Sequence, residues 1–273
     1  MATRRDRLLL AATLALLLGC LAVGGFWLAG GRWLTVRTPS MAETAPVGTL
    51  LITRPVGQQQ LRPGEFVVFQ PPTEPGQRYA HRIVSIDPDG TIHTKGDLNG
   101  SVDAWVLRRS DVSGRVVARL WGLGWLLRAL PVLLFGVLLV IACCRYWVRR
   151  SRRLPAEVLG VCVVVALTLL WLKPLVRADI LSMTSNEDSA TATVVGTGLL
   201  PIRARATGAG SISLRPGHSG VLSVRDPATG LFQLHVGPQL SPLLWLLLVC
   251  CWLLPLAVLL AVGVRPREPS ASL

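Results

Sequence analysis

Four long apolar runs divide the chain. Each is about 20 residues long, which is the length a helix needs to cross the hydrocarbon core of a bilayer. The runs cover residues 8–29, 125–144, 154–172 and 243–264, and Arg128 lies near the edge of the second. Because unpaired backbone polar groups are very costly in hydrocarbon, each run is predicted to be a transmembrane helix.

The segments between these runs follow a different pattern. Residues 31–122 contain short β-branched stretches separated by turn signals such as Arg62-Pro63-Gly64 and Asp87-Pro88-Asp89-Gly90. The stretches are 48–53, 65–69, 80–86, 91–94 and 113–118, and weaker ones follow at 220–224 and 231–235. This pattern predicts a compact sheet or partly open barrel, followed later in the chain by a second, small β module.

The predicted fold class is an α+β membrane protein with four transmembrane helices, a β-rich extracytoplasmic domain and a second small β module. Five segments follow from the pattern. They are a cytoplasmic stub with a membrane anchor (1–30), the β-rich domain (31–122), two transmembrane helices joined by an Arg-rich loop (123–176), the second β module (177–241), and the fourth helix with a cytoplasmic tail (242–273).

Arginine positions predict the orientation, because short cytoplasmic loops are enriched in Lys and Arg. Arginines occur at 4, 5 and 7, five times within residues 145–153, and at 265 and 267. With four spans these three places lie on one side of the membrane. We therefore expect a multi-pass protein of the cell membrane with both termini in the cytoplasm and residues 31–122 and 177–241 outside.

The first apolar run has two other interpretations. It could be a cleaved signal peptide, and Leu17-Leu18-Gly19-Cys20 faintly resembles a lipoprotein cleavage box. The run is longer than the hydrophobic part of a signal peptide, however, and it continues through Phe26, Trp27 and Leu28. A retained anchor is the expected outcome.

Composition narrows the classes of function. Of the 273 residues, 51% are hydrophobic and 16% are charged, and 28 Lys and Arg against 15 Asp and Glu give a net charge of +13. The arginines cluster at span ends without the interleaved aromatic residues typical of single-strand binders, so nucleic acid is not an expected partner. All six cysteines lie in or beside the spans, so no disulfide or thiolate metal site is predicted for the outer segments. No cofactor or metal ion is predicted.

Three residue types in the first outer segment suggest nucleophilic catalysis. Ser40 follows a proline, His81 lies in a predicted strand, and Asp97 and Asp103 lie in a later loop. A serine becomes nucleophilic when a base removes its proton and a third group orients that base. Each residue also has an ordinary structural interpretation, as a turn serine, a hydrogen-bonding histidine or a loop acid, and residue types alone leave both interpretations open.

The arrangement of these residues resembles the type I signal peptidases, the membrane-bound serine endopeptidases that remove signal peptides. The resemblance covers about residues 8–120. The matching blocks are the anchor followed by Ser40-Met41, the stretch 62–69, the block His81-Arg82-Ile83, and Thr94-Lys95-Gly96-Asp97-Leu98-Asn99 with Asp103 beyond it.

The family has two chemistries. Most bacterial members use a Ser-Lys dyad, whereas the endoplasmic-reticulum type, shared by archaea and some Gram-positive bacteria, has histidine at the position of the lysine. This chain has two lysines: Lys95 belongs to the Lys-Gly-Asp block and Lys173 borders another span. Since His81 occupies the base position, the chain resembles the Ser-His type.

The resemblance implies roles for four residues. Ser40 would attack the scissile carbonyl, and His81 would take the serine proton and later donate it to the leaving amine. Asp103 would orient the imidazole, and Asp97 would be a second supporting acid and the alternative for the orienting role.

The resemblance also implies contacts with the substrate. Oxyanion donors would be the Ser40 backbone N–H and the Thr38 hydroxyl, and Met41 would line the pocket for the small residues before the cleavage point. Two departures from the family pattern affect this groove: the proline after the Ser-Met pair is displaced to Pro46, and Glu65 stands where the family has aspartate.

The expected function is therefore that of a signal peptidase acting at the outer membrane face. Its partners would be secretory precursor proteins, the lipid bilayer and the secretion translocon. The alternative is a catalytically silent membrane scaffold with a degenerate peptidase domain. A peptidase dedicated to a few surface or pilus-like precursors also stays open. A second Ser-Met pair, Ser182-Met183, has no following His and Lys-Gly-Asp blocks and is interpreted as chance.

Overall fold

The computed structural model describes residues 4–57, 60–185, 189–206, 210–225 and 234–263. The chain divides into two compact units, Met1–Gly124 and Trp125–Leu273. Over the described residues the long helices are α1 (Arg4–Leu28), α2 (Leu123–Trp147), α3 (Arg153–Leu172) and α4 (Pro242–Gly263). Strands lie between α1 and α2 and between α3 and α4, so the architecture is α+β.

Three of the described helical stretches are long and apolar enough to cross a membrane. They are Leu123–Trp147, Arg150–Leu172 and Pro242–Leu260. Helix α1 lies where the first span is predicted, but its apolar part, Thr13–Leu28, is shorter. A fourth span therefore stays a prediction. The arginines at 265 and 267 and the last residue of the predicted fourth span, Val264, lie outside the described residues.

Six strands of the first unit form one sheet. They are β1 (Arg32–Thr35), β2 (Leu50–Arg54), β3 (Phe66–Phe69), β4 (Tyr79–Ile86), β5 (Ile92–Lys95) and β6 (Val112–Leu120). Their order is β1-β2-β6-β3-β4-β5, and all neighbours are antiparallel. Each of the five predicted stretches contains a strand, whereas β1 was not predicted.

Strand β3 lies inside the sheet and is buried on both faces. Its four side chains alternate between two clusters, as the two-residue period of a strand requires. Phe66 and Val68 pack in a cluster with Met41. Val67 and Phe69 pack in a second cluster with Ile83. The first unit therefore has hydrophobic core on both sides of this strand.

The second unit contains two three-stranded sheets between α3 and α4. Their strands are β7 (Ala178–Ser185), β8 (Ser189–Gly196), β9 (Ile202–Ala206), β10 (Ser211–Leu214), β11 (Ser219–Arg225) and β12 (Leu234–Pro238). The orders are β10-β9-β12 and β11-β8-β7. A shared core includes Val194, Ile202 and Leu222. The predicted stretch 220–224 lies in β11, and residues 231–233 of the other lie outside the described residues.

Candidate active site

Ser40 lies in a 3-10 helix, Pro39–Met41. In chain order this helix comes after α1 and β1. Two contacts fix this turn. The Met41 side chain is 1% exposed and packs into the core cluster of β3. The Leu98 backbone N–H donates to the Ser40 carbonyl oxygen over 2.9 Å. The turn is thereby anchored both to the core and to the loop that follows β5.

Gly96 permits the close approach of that loop to the serine. A Cβ placed on Gly96 would lie 2.9 Å from the Ser40 Cβ and equally close to the Asn99 side chain. Such distances are below ordinary van der Waals contact. The glycine of the Lys-Gly-Asp block is therefore required by space.

His81 lies on β4 and is 4% exposed. It pairs in register with Val67 of β3. The rings of Phe69 and Tyr79 lie 6.1 Å from the imidazole, between ring centroids, and Phe69 presents an edge-on arrangement. The buried imidazole thus packs against two aromatic rings.

The structure brings Ser40, His81 and Asp103 together. His81 Nε2 lies 3.0 Å from the Ser40 Oγ, and His81 Nδ1 lies 2.6 Å from Asp103 Oδ2. Because a carboxylate only accepts hydrogen bonds, Nδ1 is the donor, and Nε2 of the neutral ring is left to accept from the serine hydroxyl. These distances are those of a nucleophile, a base and a group that orients the base.

Asp103 has further hydrogen bonds besides the one to His81. The Thr94 hydroxyl donates to Asp103 Oδ2 over 2.7 Å, and the Asp103 backbone N–H donates to the Thr94 carbonyl over 2.8 Å. The Asn99 amide lies 3.5 Å from Oδ1, and the Trp105 indole nitrogen lies 3.4 Å from the Thr94 Oγ1. The carboxylate is thus surrounded by donors in a nearly water-free place, where such bonds are strong.

Asp97 makes a separate ion pair. The Arg82 guanidinium donates from Nε to Oδ1 over 2.9 Å and from Nη2 to Oδ2 over 2.8 Å. Thr44 also donates to Asp97, and Arg82 Nη1 donates to the Gly64 carbonyl. Burial acts to raise the pKa of Asp97, but the bonds from Arg82 and Thr44 outweigh it and hold that pKa below its ordinary value of 3.8. The same pair raises the pKa of Arg82.

The depressed pKa of Asp97 predicts a pH-dependent contribution to stability. As the pH falls through 3.8, Asp97 of the unfolded chain is protonated before Asp97 of the folded chain. The carboxylate therefore stabilises the fold above pH 3.8, and this stabilisation is lost as the pH falls through the lower pKa of the folded state. We expect the free energy of unfolding of the wild type to exceed that of Asp97→Asn by about 1 kcal/mol at pH 7. Thermal unfolding of both proteins in detergent from pH 7 to pH 2.5 would show the difference shrink. A constant difference would contradict it.

The structure gives the remaining predicted residues more varied places. Thr38 is exposed at the start of the 3-10 helix, and its side chain makes no capping hydrogen bond. The Ser40 N–H lies in the first turn, where N–H groups have no partner within the helix. The Met41 side chain is buried and packs in the core, and its contact with substrate stays a prediction.

Sequence reasoning missed Thr94, Trp105 and Arg82 as members of this neighbourhood. The first had a signal: Ile92 and Thr94 share one face of a four-residue strand, and Ile92 is apolar. A threonine on the inward face is a buried polar group that needs a partner. The neighbouring Lys95 has no side-chain hydrogen bond or ion pair with any residue that the structure describes.

The arrangement can carry out acyl transfer. It joins a hydroxyl, an imidazole and a carboxylate by hydrogen bonds. Within the described ranges, no group of three or more His, Cys, Asp or Glu side chains could hold a metal ion.

Residues 7–101 match the family described as signal peptidase, peptidase S26. Over these residues the chain is similar to the signal peptidases. The match covers about a third of the chain, and it includes Ser40, His81 and Asp97 while ending two residues before Asp103. Comparison with curated proteins gave no match. The signal peptidase match thus supports a serine peptidase hydrolase, and the whole second β module lies beyond it.

Proposed function

We propose that the chain is a membrane-bound signal peptidase of the Ser-His type that cleaves signal peptides from translocated precursors. The observation that carries the proposal is the line of Ser40, His81 and Asp103, with 3.0 Å and 2.6 Å between the bonded atoms. The family match supports the reaction class. The secretion translocon is a further candidate partner.

In the proposed reaction His81 is the general base and then the general acid. Nε2 takes the Ser40 proton as Oγ attacks the scissile carbonyl, and the resulting imidazolium gives that proton to the leaving amine. Asp103 accepts from Nδ1 throughout. A water molecule, deprotonated in turn by His81, then attacks the acyl-serine. The imidazolium returns the proton to the Ser40 Oγ as the new carboxyl product leaves.

The tetrahedral intermediate needs donors placed before the reaction begins. The Ser40 backbone N–H is one candidate, since it lies in the first turn of a 3-10 helix. The exposed Thr38 hydroxyl is the other, because it makes no capping bond. The buried Met41 side chain is proposed to line the pocket for the small residue before the cleavage point.

The proposed topology has four spans, with α1 as the anchor and both termini in the cytoplasm. Ser40 follows the end of α1 after 11 intervening residues, Ala29 to Pro39, and four of these form β1. This short connection would keep the site near the outer membrane face. A precursor whose apolar helix stays in lipid would present its cleavage segment at high effective concentration.

The test uses the full chain reconstituted into lipid vesicles with a secretory precursor that carries an Ala-x-Ala cleavage site. We expect cleavage directly after this motif, identified from the N-terminal residue and mass of the product. A matched precursor with phenylalanine in place of the last alanine is expected to stay intact. If neither precursor is cleaved, or both are cut equally, the proposed specificity is wrong.

The rival function is a membrane scaffold without catalysis. It predicts that the wild-type chain binds the precursor in the same vesicles without producing a cleaved product. The hydrogen bonds of His81 to Ser40 and to Asp103 favour the peptidase, because a binding surface does not require a buried imidazole bonded at both nitrogens.

The glycine beside the serine gives a further prediction. Gly96→Ala is expected to lower kcat about 10- to 100-fold, because the added Cβ displaces Ser40 or Asn99 and small misplacements are costly to catalysis. The matched control is Gly100→Ala, where a Cβ meets no atom within 4 Å. Initial rates on a peptide with an Ala-x-Ala site would measure both. Equal rates for the two variants would contradict the predicted crowding.

A further inference from the structure

We propose that Thr94 is a positioning residue for the reaction of Ser40, His81 and Asp103, and that the Trp105 indole fixes the direction of the Thr94 hydroxyl. The proposal rests on the proposed peptidase function. Thr94 touches neither the serine nor the scissile bond in this mechanism. It acts through Asp103.

Thr94 holds Asp103 at two points. Its carbonyl accepts from the Asp103 backbone N–H over 2.8 Å, and its hydroxyl lies 2.7 Å from Asp103 Oδ2. Thr94 itself is completely buried and pairs in register with Ile83, two residues after His81 on β4. The strand that carries the base is therefore tied through Thr94 to the loop that carries the acid.

The direction of each hydrogen bond follows from the groups involved. An indole nitrogen only donates, and a carboxylate only accepts. With Trp105 Nε1 3.4 Å from its Oγ1, the Thr94 hydroxyl accepts from the indole and directs its single hydrogen to Asp103. The series from Trp105 through Thr94 to Asp103 has one possible sense.

The same carboxylate oxygen receives both of the short bonds. Asp103 Oδ2 lies 2.6 Å from His81 Nδ1 and 2.7 Å from the Thr94 Oγ1. Rotation of the carboxylate would break both bonds, so the threonine resists a motion that would release the imidazole. The side chains of His81 and Asp103 are each 5% exposed, so little water is available to replace a lost donor.

The experiment compares Thr94→Val with Thr94→Ser in the reconstituted full chain, using a peptide with an Ala-x-Ala site. Valine keeps the shape and removes the hydroxyl, so we expect kcat to fall about 10- to 100-fold with KM unchanged. Serine keeps the hydroxyl and is expected to stay within a few-fold of the wild type. Equal activity of the valine and serine variants would overturn the proposal.

Thr49→Val is the matched control. Thr49 is also a buried threonine of this unit, 1% exposed, but its hydroxyl has no hydrogen-bond partner among the described residues. Its replacement is expected to leave kcat unchanged. A similar loss in Thr49→Val and Thr94→Val would indicate a general packing effect and overturn the positioning role.

A double-mutant cycle separates positioning from general stability. If Thr94 acts through Asp103, Thr94→Val is expected to cause no further loss of kcat in an Asp103→Ala background. Additive losses would overturn the proposal.

Trp105→Phe keeps a ring against Phe69 and Tyr79 while removing the N–H, and we expect kcat to fall about threefold to tenfold. This variant supplies the test if Thr94→Val does not fold, and an unchanged kcat would then overturn the proposed series from Trp105 through Thr94 to Asp103.

Failure of this proposal is distinguishable from failure of the proposed function. If Ser40→Ala abolishes cleavage while Thr94→Val is fully active, the peptidase stands and the positioning role is wrong. If Ser40→Ala cleaves as well as the wild type, the proposed function itself is wrong, whatever Thr94→Val does.

Discussion

Replacement of Ser40 by alanine is expected to lower kcat by about 10⁶-fold, since loss of a serine nucleophile removes the covalent route altogether. His81 and Asp103 would remain bonded to each other, but Nε2 would have no hydroxyl to deprotonate. Cleavage of a precursor with an Ala-x-Ala site in reconstituted vesicles would measure the loss. Binding of the precursor is expected to persist, because alanine removes a single oxygen.

Ser182→Ala provides the matched control. Ser182 also precedes a methionine, but it is exposed on β7 and pairs with Thr193. We expect the wild-type rate from this variant. Precursor processing that is equal in the two alanine variants would exclude Ser40 as the nucleophile.

Asp103→Asn is expected to lower kcat by about 10⁴-fold while leaving the fold intact. An asparagine amide can donate where the carboxylate accepts, so Nδ1 of His81 could become the acceptor and Nε2 would then carry the proton. The ring could not take a proton from Ser40 in that tautomer. Initial rates and the KM for the same peptide would show the loss in kcat.

Asp97→Asn separates the two acids of the loop. Asp97 bonds to Arg82 and Thr44, whereas Asp103 bonds to the imidazole. We expect Asp97→Asn to retain kcat within about tenfold, because the misplacement it causes is indirect, with the pH-dependent loss of stability described above. If Asp97→Asn lost as much kcat as Asp103→Asn, the assignment of the orienting acid would be wrong.

The strands around the site could be predicted because their β-branched residues and turn signals are local. Strand β1 could not. Its four residues, Arg32–Thr35, contain little alternation, and their strand conformation depends on pairing with Leu50–Thr53 of β2. Pairing between distant segments is decided by the tertiary fold, which a local pattern does not contain.

The candidate site was only partly accessible from the sequence. The resemblance implies a hydrolase with Ser40 and His81, but it leaves both Asp103 and Asp97 as candidates for the orienting acid, since they lie within seven residues of one loop. Geometry distinguishes them, because Arg82 follows His81 on the same strand and pairs with Asp97. Thr94 belongs to the block of residues 94–99 that resembles the family. Its hydrogen bond to Asp103 forms because the loop after β5 folds back onto that strand.

The helices show the same limit. Apolar length predicts four membrane-crossing helices, and three of the described stretches are long and apolar enough. The remaining helix, α1, begins at Arg4 and includes Arg5 and Arg7. The second β module was expected as a single small unit, and its two-sheet arrangement depends on contacts such as Val194 with Ile202.

Strand β3 gives the site an unusual dependence on the core. One face of the strand supports Met41, next to the nucleophile, while the other supports Ile83, two residues from the base. A lost methylene group on either face would therefore shift one reacting atom against the other, instead of moving the site as a whole. For the proposed peptidase, turnover is consequently expected to be a sensitive readout of how well the interior is filled, and variants selected for activity would be selected for packing as well.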